Sequence, residues 1–168
     1  MRTLALLACS LVAAATVAGA ARAVDPENGT LSVARGKGVV TLELRGNILG
    51  RLGSGVLAVT DLTPRDRYTA TVVARKMKEV RYVGARTTRY RGLGIRFRML
   101  GGGYRVTIRG TGIALSAVGH GFVTLDAERT SVFDDAGVYS LDGVDCSAEP
   151  TSCTPLPDDP ERYALGTL

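Results

Sequence analysis

Strict alternation of apolar and polar residues is the feature that most constrains the fold of this chain. It recurs in segment after segment between glycine-rich stretches, and no run of about a dozen residues keeps an apolar stripe of helical period. Successive side chains of a strand point to opposite faces, so this pattern is typical of a sheet with one buried face. We therefore predict an all-β protein, folded as an antiparallel β-sandwich or a small closed barrel.

The strongest local pattern is a pair of alternating runs, 95–99 and 104–109, joined by Gly101–Gly103. We predict that these runs form a hairpin. The apolar positions of both runs would share its buried face, namely Ile95, Phe97, Met99, Tyr104, Val106 and Ile108. The basic positions would share the other face, namely Arg96, Arg98, Arg105 and Arg109.

Shorter alternating runs predict the remaining strands. Arg35–Gly38 is a four-residue connection suited to a hairpin between the first two of them. Lys76–Glu79 is compatible with a single helical turn. The predicted strands are 30–34, 39–45, 56–60, 68–74, 122–125 and 132–141.

An internal echo suggests two related β-units. Val40–Gly46 matches Tyr104–Gly110 at an offset of 64 residues, and Gly53–Val59 matches Gly119–Leu125 at an offset of 66. Two such units packed face to face would bury each other's apolar sides. The alternative is chance similarity between alternating strands.

The N-terminal segment has the features of a secretory signal peptide. A positive charge precedes an apolar run, Leu4–Ala20, and Ala21–Ala23 offers the small-x-small pattern that signal peptidase cleaves. The run is too short and too rich in alanine for a membrane-spanning helix. We therefore predict cleavage after Ala23, no transmembrane segment in the mature chain, and a secreted or cell-envelope location. Leu6–Cys9 also resembles a lipobox, so lipidation of that cysteine is the alternative.

The mature chain would consist of an all-β domain, 24–145, and a C-terminal segment, 146–168. It keeps two cysteines, Cys146 and Cys153, in an oxidising compartment, which predicts a disulfide closing an eight-residue loop. Two free thiols are the alternative. The C-terminal segment is predicted to be extended and turn-rich, without a hydrogen-bonded ladder, because of its prolines and acidic residues.

Charge is distributed very unevenly along the mature chain. Residues 24–121 contain 17 Lys and Arg against 6 Asp and Glu, whereas residues 122–168 contain 2 against 10. Arginine forks recognise phosphate and carboxylate groups, so the basic part predicts a surface for an anionic polymer or glycan of the cell envelope. Nucleic acid is disfavoured as a partner, because no recognised binding module is present. The predicted anion-binding residues are Arg89, Arg91, Arg96, Arg98, Arg105 and Arg109.

An internal partner for this basic surface is the alternative. Acidic residues from the C-terminal part, such as Asp126, Glu128, Asp134 and Asp135, could neutralise it. The protein would then be a structural β-domain that acts through contacts with other proteins.

Catalytic patterns are sparse. His120 is the single histidine, and no Gly-x-Ser-x-Gly motif is present. We predict no cofactor, no metal and no enzymatic activity. A hydrolase is the third hypothesis, and it requires His120 to lie beside Ser116 and a carboxylate in a cleft.

One stretch carries a resemblance. The glycine-rich segment from Phe97 to Gly119 resembles a segment of small exported proteins of high-GC, Gram-positive-type bacteria, which have no assigned activity. The resemblance implies export and a β-rich fold, and it carries over no functional residue.

Overall fold

The computed structural model describes residues 28–129, 131 and 134–167. The predicted signal peptide, its cleavage site and the lipobox lie outside these residues, as do Val132 and Phe133 of the last predicted strand. No described residue belongs to a helix long and apolar enough to cross a membrane. The elements are β1 (Gly29–Asp61), β2 (Thr71–Val83), β3 (Thr87–Ala127), β4 (Val138–Ser140), a 3-10 turn (Pro150–Ser152), β5 (Thr154–Pro155) and β6 (Glu161–Leu165).

The prediction of an all-β fold is confirmed. The six strands form one antiparallel sheet in the order β2-β3-β1-β4-β5, and β6 pairs with β3. The path runs from one edge to another, so the sheet is not a closed barrel. Of the two predicted architectures, the open sheet packed in two layers is the one observed.

The longest strand, β3, pairs with both edges of β1. Each residue in the middle of β1 pairs with β3 on both sides: Leu42, for example, faces Val106 on one side and Val123 on the other. The same strand of 41 residues therefore supplies both neighbours of β1. This arrangement is possible only if both strands bend.

Glycines supply the bends, and they are aligned across neighbouring strands. Gly38 pairs with Gly110, Gly110 with Gly55, and Gly55 with Gly92. At Gly110 the φ angle is +148°, and a Cβ built there would lie 2.0 Å from the carbonyl oxygen of Ser54. Only glycine fits such a corner, where the backbones approach closely.

The bends divide the sheet into two layers. The first layer contains 39–45, 56–60, 76–83, 87–91, 104–109, 121–126 and 161–165. The second layer contains 30–34, 47–52, 71–74, 95–100, 113–118 and 138–140. Inward side chains of both layers form one buried apolar cluster, which includes Leu42, Leu57 and Ile108 of the first and Ile48, Ile95 and Met99 of the second.

The predicted hairpin of 95–109 does not form. Both runs belong to the single strand β3, and each pairs with β1 instead of with the other. Their predicted buried face is nevertheless confirmed, since Ile95, Phe97, Met99, Tyr104, Val106 and Ile108 are all buried. Alternation determines which side chains point inward, whereas a glycine run between strands permits either a reversal or a bend.

Two smaller predictions are also wrong. Arg35–Gly38 lies inside β1 and does not reverse the chain, so 30–34 and 39–45 are not paired. Lys76–Glu79 is part of β2 and not a helical turn, because it continues the ladder with β3.

The internal echo corresponds to a regularity in the pairing. Leu42 and Val106, which are 64 positions apart, pair directly with each other. The pairing keeps this offset of 64 elsewhere: Val56 pairs with Arg109, and the residues 64 positions on and 64 positions back, His120 and Arg45, also pair with each other. The change to an offset of 66 seen for Gly53–Val59 in the sequence is therefore not reproduced in the register. The related units therefore lie side by side in one sheet around a local twofold axis, and not face to face as predicted.

The C-terminal segment joins the sheet, contrary to the prediction that it has no ladder. Strand β6 pairs with 121–125 of β3, and Leu156 and Leu165 are buried in the core. The predicted disulfide is present between Cys146 and Cys153.

A pair of tyrosines connects β6 to β4 through their hydroxyl groups. The hydroxyls of Tyr139 and Tyr163 are 2.7 Å apart, and the Tyr163 hydroxyl also donates to Glu161. Burial, and then the hydrogen bond to Glu161, raise the pKa of Tyr163 above its ordinary value.

Candidate anion-binding site

A strongly basic recess of about 510 Å³ lies on the outer face of the second layer. We call it the four-arginine recess. Its cationic walls are Arg35, Arg51, Arg75 and Arg96. Its remaining lining is uncharged, and consists of Leu52, Gly53, Gly94, Gly112 and Ala114.

Strand register explains why glycines form the floor. In the ladders, Gly53 of β1 lies between two glycines of β3. These are Gly94 on one side and Gly112 on the other. A Cβ on Gly112 would lie 3.3 Å from the Cα of Gly53, and one on Gly94 would lie 3.1 Å from the Cβ of Arg75. Because these positions have no side chains, an anion can approach the backbone while the arginines project around it.

The arginines stand on three sides of this floor. Arg51 and Arg96 are direct cross-strand partners, separated from the glycine row by one residue pair, Leu52 and Ile95. Like charges in such a position repel each other, and an anion between them relieves that repulsion. Arg75 lies on β2, beside Gly94 at one end of the glycine row.

Arg35 reaches the recess through a β-bulge. Val33 pairs with Leu115 and Gly36 with Ile113, so two residues of β1 oppose a single residue of β3. Arg35, one of these two, has a φ angle of +57°, and it is the only non-glycine residue with positive φ in the described part of the chain. Such strain of about 1–3 kcal/mol is concentrated at functional sites, where bulges re-aim side chains.

Charge in the recess is almost uncompensated. No acidic side chain lines it. Within residues 28–129, 131 and 134–167, Arg51, Arg75 and Arg96 have no ion pair. Arg35 lies 3.5 Å from Asp135, but both side chains are more than 60% exposed, so the pair is a weak one.

The six predicted anion-binding arginines do not share one face. Arg96 lines the four-arginine recess, whereas Arg98 lines a neighbouring recess of the same layer. Arg89 and Arg109 line a recess of about 370 Å³ on the outer face of the first layer, over Val56 and Ala58.

The remaining two predicted arginines also lie on the first layer. Arg91 is exposed between Glu79 and Val56 in the ladder. Arg105 donates two hydrogen bonds to Glu43, at 2.8 and 3.0 Å. The bend at Gly101–Gly103 separates Arg96 and Arg98 from Arg105 and Arg109, so the predicted single face of four arginines is wrong.

The acidic side chains of the C-terminal part pair with basic residues other than the six predicted arginines. Asp134 binds Lys37 at 2.8 Å, Asp135 pairs with Arg35, and Asp158 pairs with Arg129. All six predicted arginines remain exposed, and none of them has an ion pair with residues 126–161 among the described residues.

His120 lines a separate recess beside Arg45, Asp66 and Tyr68. No serine, threonine or cysteine is among its lining residues. Ser116 lies four residues earlier in the same strand, about 13 Å away along extended chain. The recess therefore lacks the Ser116–His120 pair on which the hydrolase hypothesis depends.

No family model, curated protein or solved structure matches this chain. The described residues also contain no group of three or more His, Cys, Asp or Glu side chains that could hold a metal ion.

Sequence reasoning identified one of the four arginines, Arg96, and missed Arg35, Arg51 and Arg75. A signal was present, since each of the three lies within two residues of a glycine or of another basic residue. Their convergence depends on the pairing of β3 with both β1 and β2, which a local pattern does not report.

Proposed function

We propose that this protein is an exported, non-enzymatic binding protein whose four-arginine recess holds an anionic group of a cell-envelope polymer or glycan. The observation that carries the proposal is the convergence of four arginines over a glycine floor without an acidic residue in the lining. Export is the prediction from the N-terminal sequence, and it places the recess where such polymers occur.

Arginine is the side chain best suited to this task. Its planar guanidinium donates two parallel hydrogen bonds to phosphate or carboxylate oxygens, and it keeps its charge at any physiological pH. The exposed ends of Arg51, Arg75 and Arg96 have no competing carboxylate in the recess. An anion bound there would replace their mutual repulsion with charge-assisted hydrogen bonds.

The first test is binding of the purified protein to isolated cell envelopes, polyphosphate and polyglutamate at increasing salt. Replacing both Arg51 and Arg96 with serine is expected to weaken binding by about 100-fold, at about tenfold for each charged hydrogen-bonding group removed. Binding by the native protein is expected to fall steeply with salt, because the exposed charges are screened.

Arg91→Ser together with Arg89→Ser is the matched control. It removes the same charge from the first layer and leaves the recess intact. If this control weakens binding as much as the recess variant does, general positive charge explains binding and the recess has no special role. If neither variant affects binding, the proposal is wrong.

Arg35 allows the effects on stability and on binding to be measured separately. Glycine accepts a φ angle of +57° without strain, so Arg35→Gly is expected to leave the free energy of unfolding within about 1 kcal/mol of the native value, or to raise it. Anion affinity is expected to fall about tenfold. Denaturant melts and anion titrations of the same samples measure both. A loss of stability greater than about 2 kcal/mol would show that Arg35 is a structural residue.

Contact with another protein is the second candidate, and one feature favours it. The hairpin of β2 and the start of β3 exposes apolar side chains, with Val80 46% and Tyr82 77% exposed. The test compares two variants for binding to envelopes. If the Arg51→Ser, Arg96→Ser variant binds as the native protein does, and the Val80→Ser, Tyr82→Ser variant no longer binds, this hairpin is the binding surface.

A further inference from the structure

The structure assigns the ligand a more specific chemistry: we infer that it is a linear phosphate polymer, whose terminal phosphate occupies the four-arginine recess while its next phosphates follow the outer face of the second layer. This inference rests on the proposed function. It is carried by a second basic recess that continues the first along the same strands.

The second recess, which we call the Arg98 recess, has a volume of about 430 Å³. Arg67 and Arg98 supply its charge, and no acidic side chain lines it. Neither arginine has an ion pair among the described residues. Its other lining residues are Tyr68, Thr69, Thr71 and Leu100, which offer hydroxyls and apolar surface.

The two recesses form one track. Arg96 and Arg98 are alternate residues of β3, and both are exposed on its outer side. Their partners on β2, Val73 and Thr71, are alternate residues as well. The Cα atoms of Arg96 and Arg98 are therefore about 6.8 Å apart along the track.

This spacing selects among anionic polymers. Two residues of extended chain span six main-chain bonds, and a polymer with six bonds between successive phosphorus atoms has the same repeat. Phosphodiesters joined by a three-carbon polyol have this number of bonds. The nucleic-acid backbone has it as well, but the chain contains no recognised nucleic-acid-binding module, so the polyol is favoured. Polyphosphate, with two bonds between phosphorus atoms, has a much shorter repeat.

The difference between the recesses indicates the direction of the polymer. A terminal phosphate monoester carries nearly two charges and three free oxygens, which suits four arginines approaching from three sides. A phosphodiester carries one charge, which suits Arg98 and Arg67. The exposed Tyr68 ring, which packs over Gly101, offers an apolar surface for the polyol carbons.

The test uses oligo(glycerol phosphate) probes of one to six units, each with a terminal phosphate, in calorimetric titrations of the purified protein. Affinity is expected to rise about tenfold from one unit to three, and then to level off as the track ends. Arg98→Ser should remove this rise and leave the affinity for one unit unchanged. Arg51→Ser should lower the affinity for every probe about tenfold, and Arg91→Ser should change nothing.

The outcomes separate the inference from the proposed function. If one unit binds through Arg51 but longer probes bind no better, the recess is a site for a single anion, and the inference alone fails. The same holds if Arg98→Ser keeps the length dependence, or if polyphosphate of equal charge binds as tightly and with the same dependence on Arg98. If no probe binds and envelopes, polyphosphate and polyglutamate do not bind either, both proposals fail.

Discussion

Replacing Gly110 with alanine is expected to lower the free energy of unfolding by about 3 kcal/mol or more, enough to prevent folding of a marginally stable domain. Gly110 pairs with both Gly38 and Gly55, so it lies in the middle of the corner between the layers. Its Cβ would lie 2.0 Å from a backbone oxygen, at a φ angle of +148° that side chains rarely adopt. The neighbouring strands cannot separate without breaking ladders on both sides.

Gly84→Ala is the matched control for this variant. Gly84 also has a positive φ angle, +70°, but no atom lies within 4 Å of its added Cβ. Its replacement is expected to cost only about 1 kcal/mol, from backbone strain alone. Urea melts of both variants distinguish a clash from strain. Equal effects at the two positions would mean that the aligned glycines are not closely packed.

Removing the disulfide is expected to lower the free energy of unfolding by about 2.5 kcal/mol, because Cys146 and Cys153 close an eight-residue loop. The measurement is a denaturant melt of the variant with both cysteines replaced by alanine. Cys146 is fully buried and packs against Ala34 and Val138, next to the Arg35 bulge. The bridge therefore also holds β4 and the chain that follows it against the edge of the second layer.

Reductant gives an independent measurement of the same bond. Native protein in dithiothreitol is expected to lose a similar amount of stability, whereas the alanine variant should be insensitive to it. If reductant leaves the stability of the native protein unchanged, the two thiols are not bridged in solution, and the alternative of free cysteines is correct.

Local pattern predicted the inward side chains well. Ile95, Phe97 and Met99, and also Tyr104, Val106 and Ile108, are buried as the alternation indicates, because the pleat of a strand sends alternate side chains to opposite faces. The pairing of Cys146 with Cys153 was predictable as well, since the two are close in the chain and no other cysteine follows residue 23.

Local pattern did not predict strand connectivity or the site. Gly101–Gly103 separates two alternating runs, and a hairpin and a bent strand have the same sequence signature there. The difference arises because Tyr104 finds its partners in β1, at Leu44 and Asp61, rather than in the preceding run. Assigning Arg96 and Arg105 to one face followed from the same error.

The sequence by itself determined the fold class, the buried face of each strand, the disulfide and the excess of basic residues in 24–121. These properties depend on residue type and on spacing along the chain. Only the tertiary structure decided where the chain bends and which arginines meet. The glycines of β1 and β3 align only after the two strands have paired across more than 35 residues, and that alignment places Arg35, Arg51, Arg75 and Arg96 around one floor.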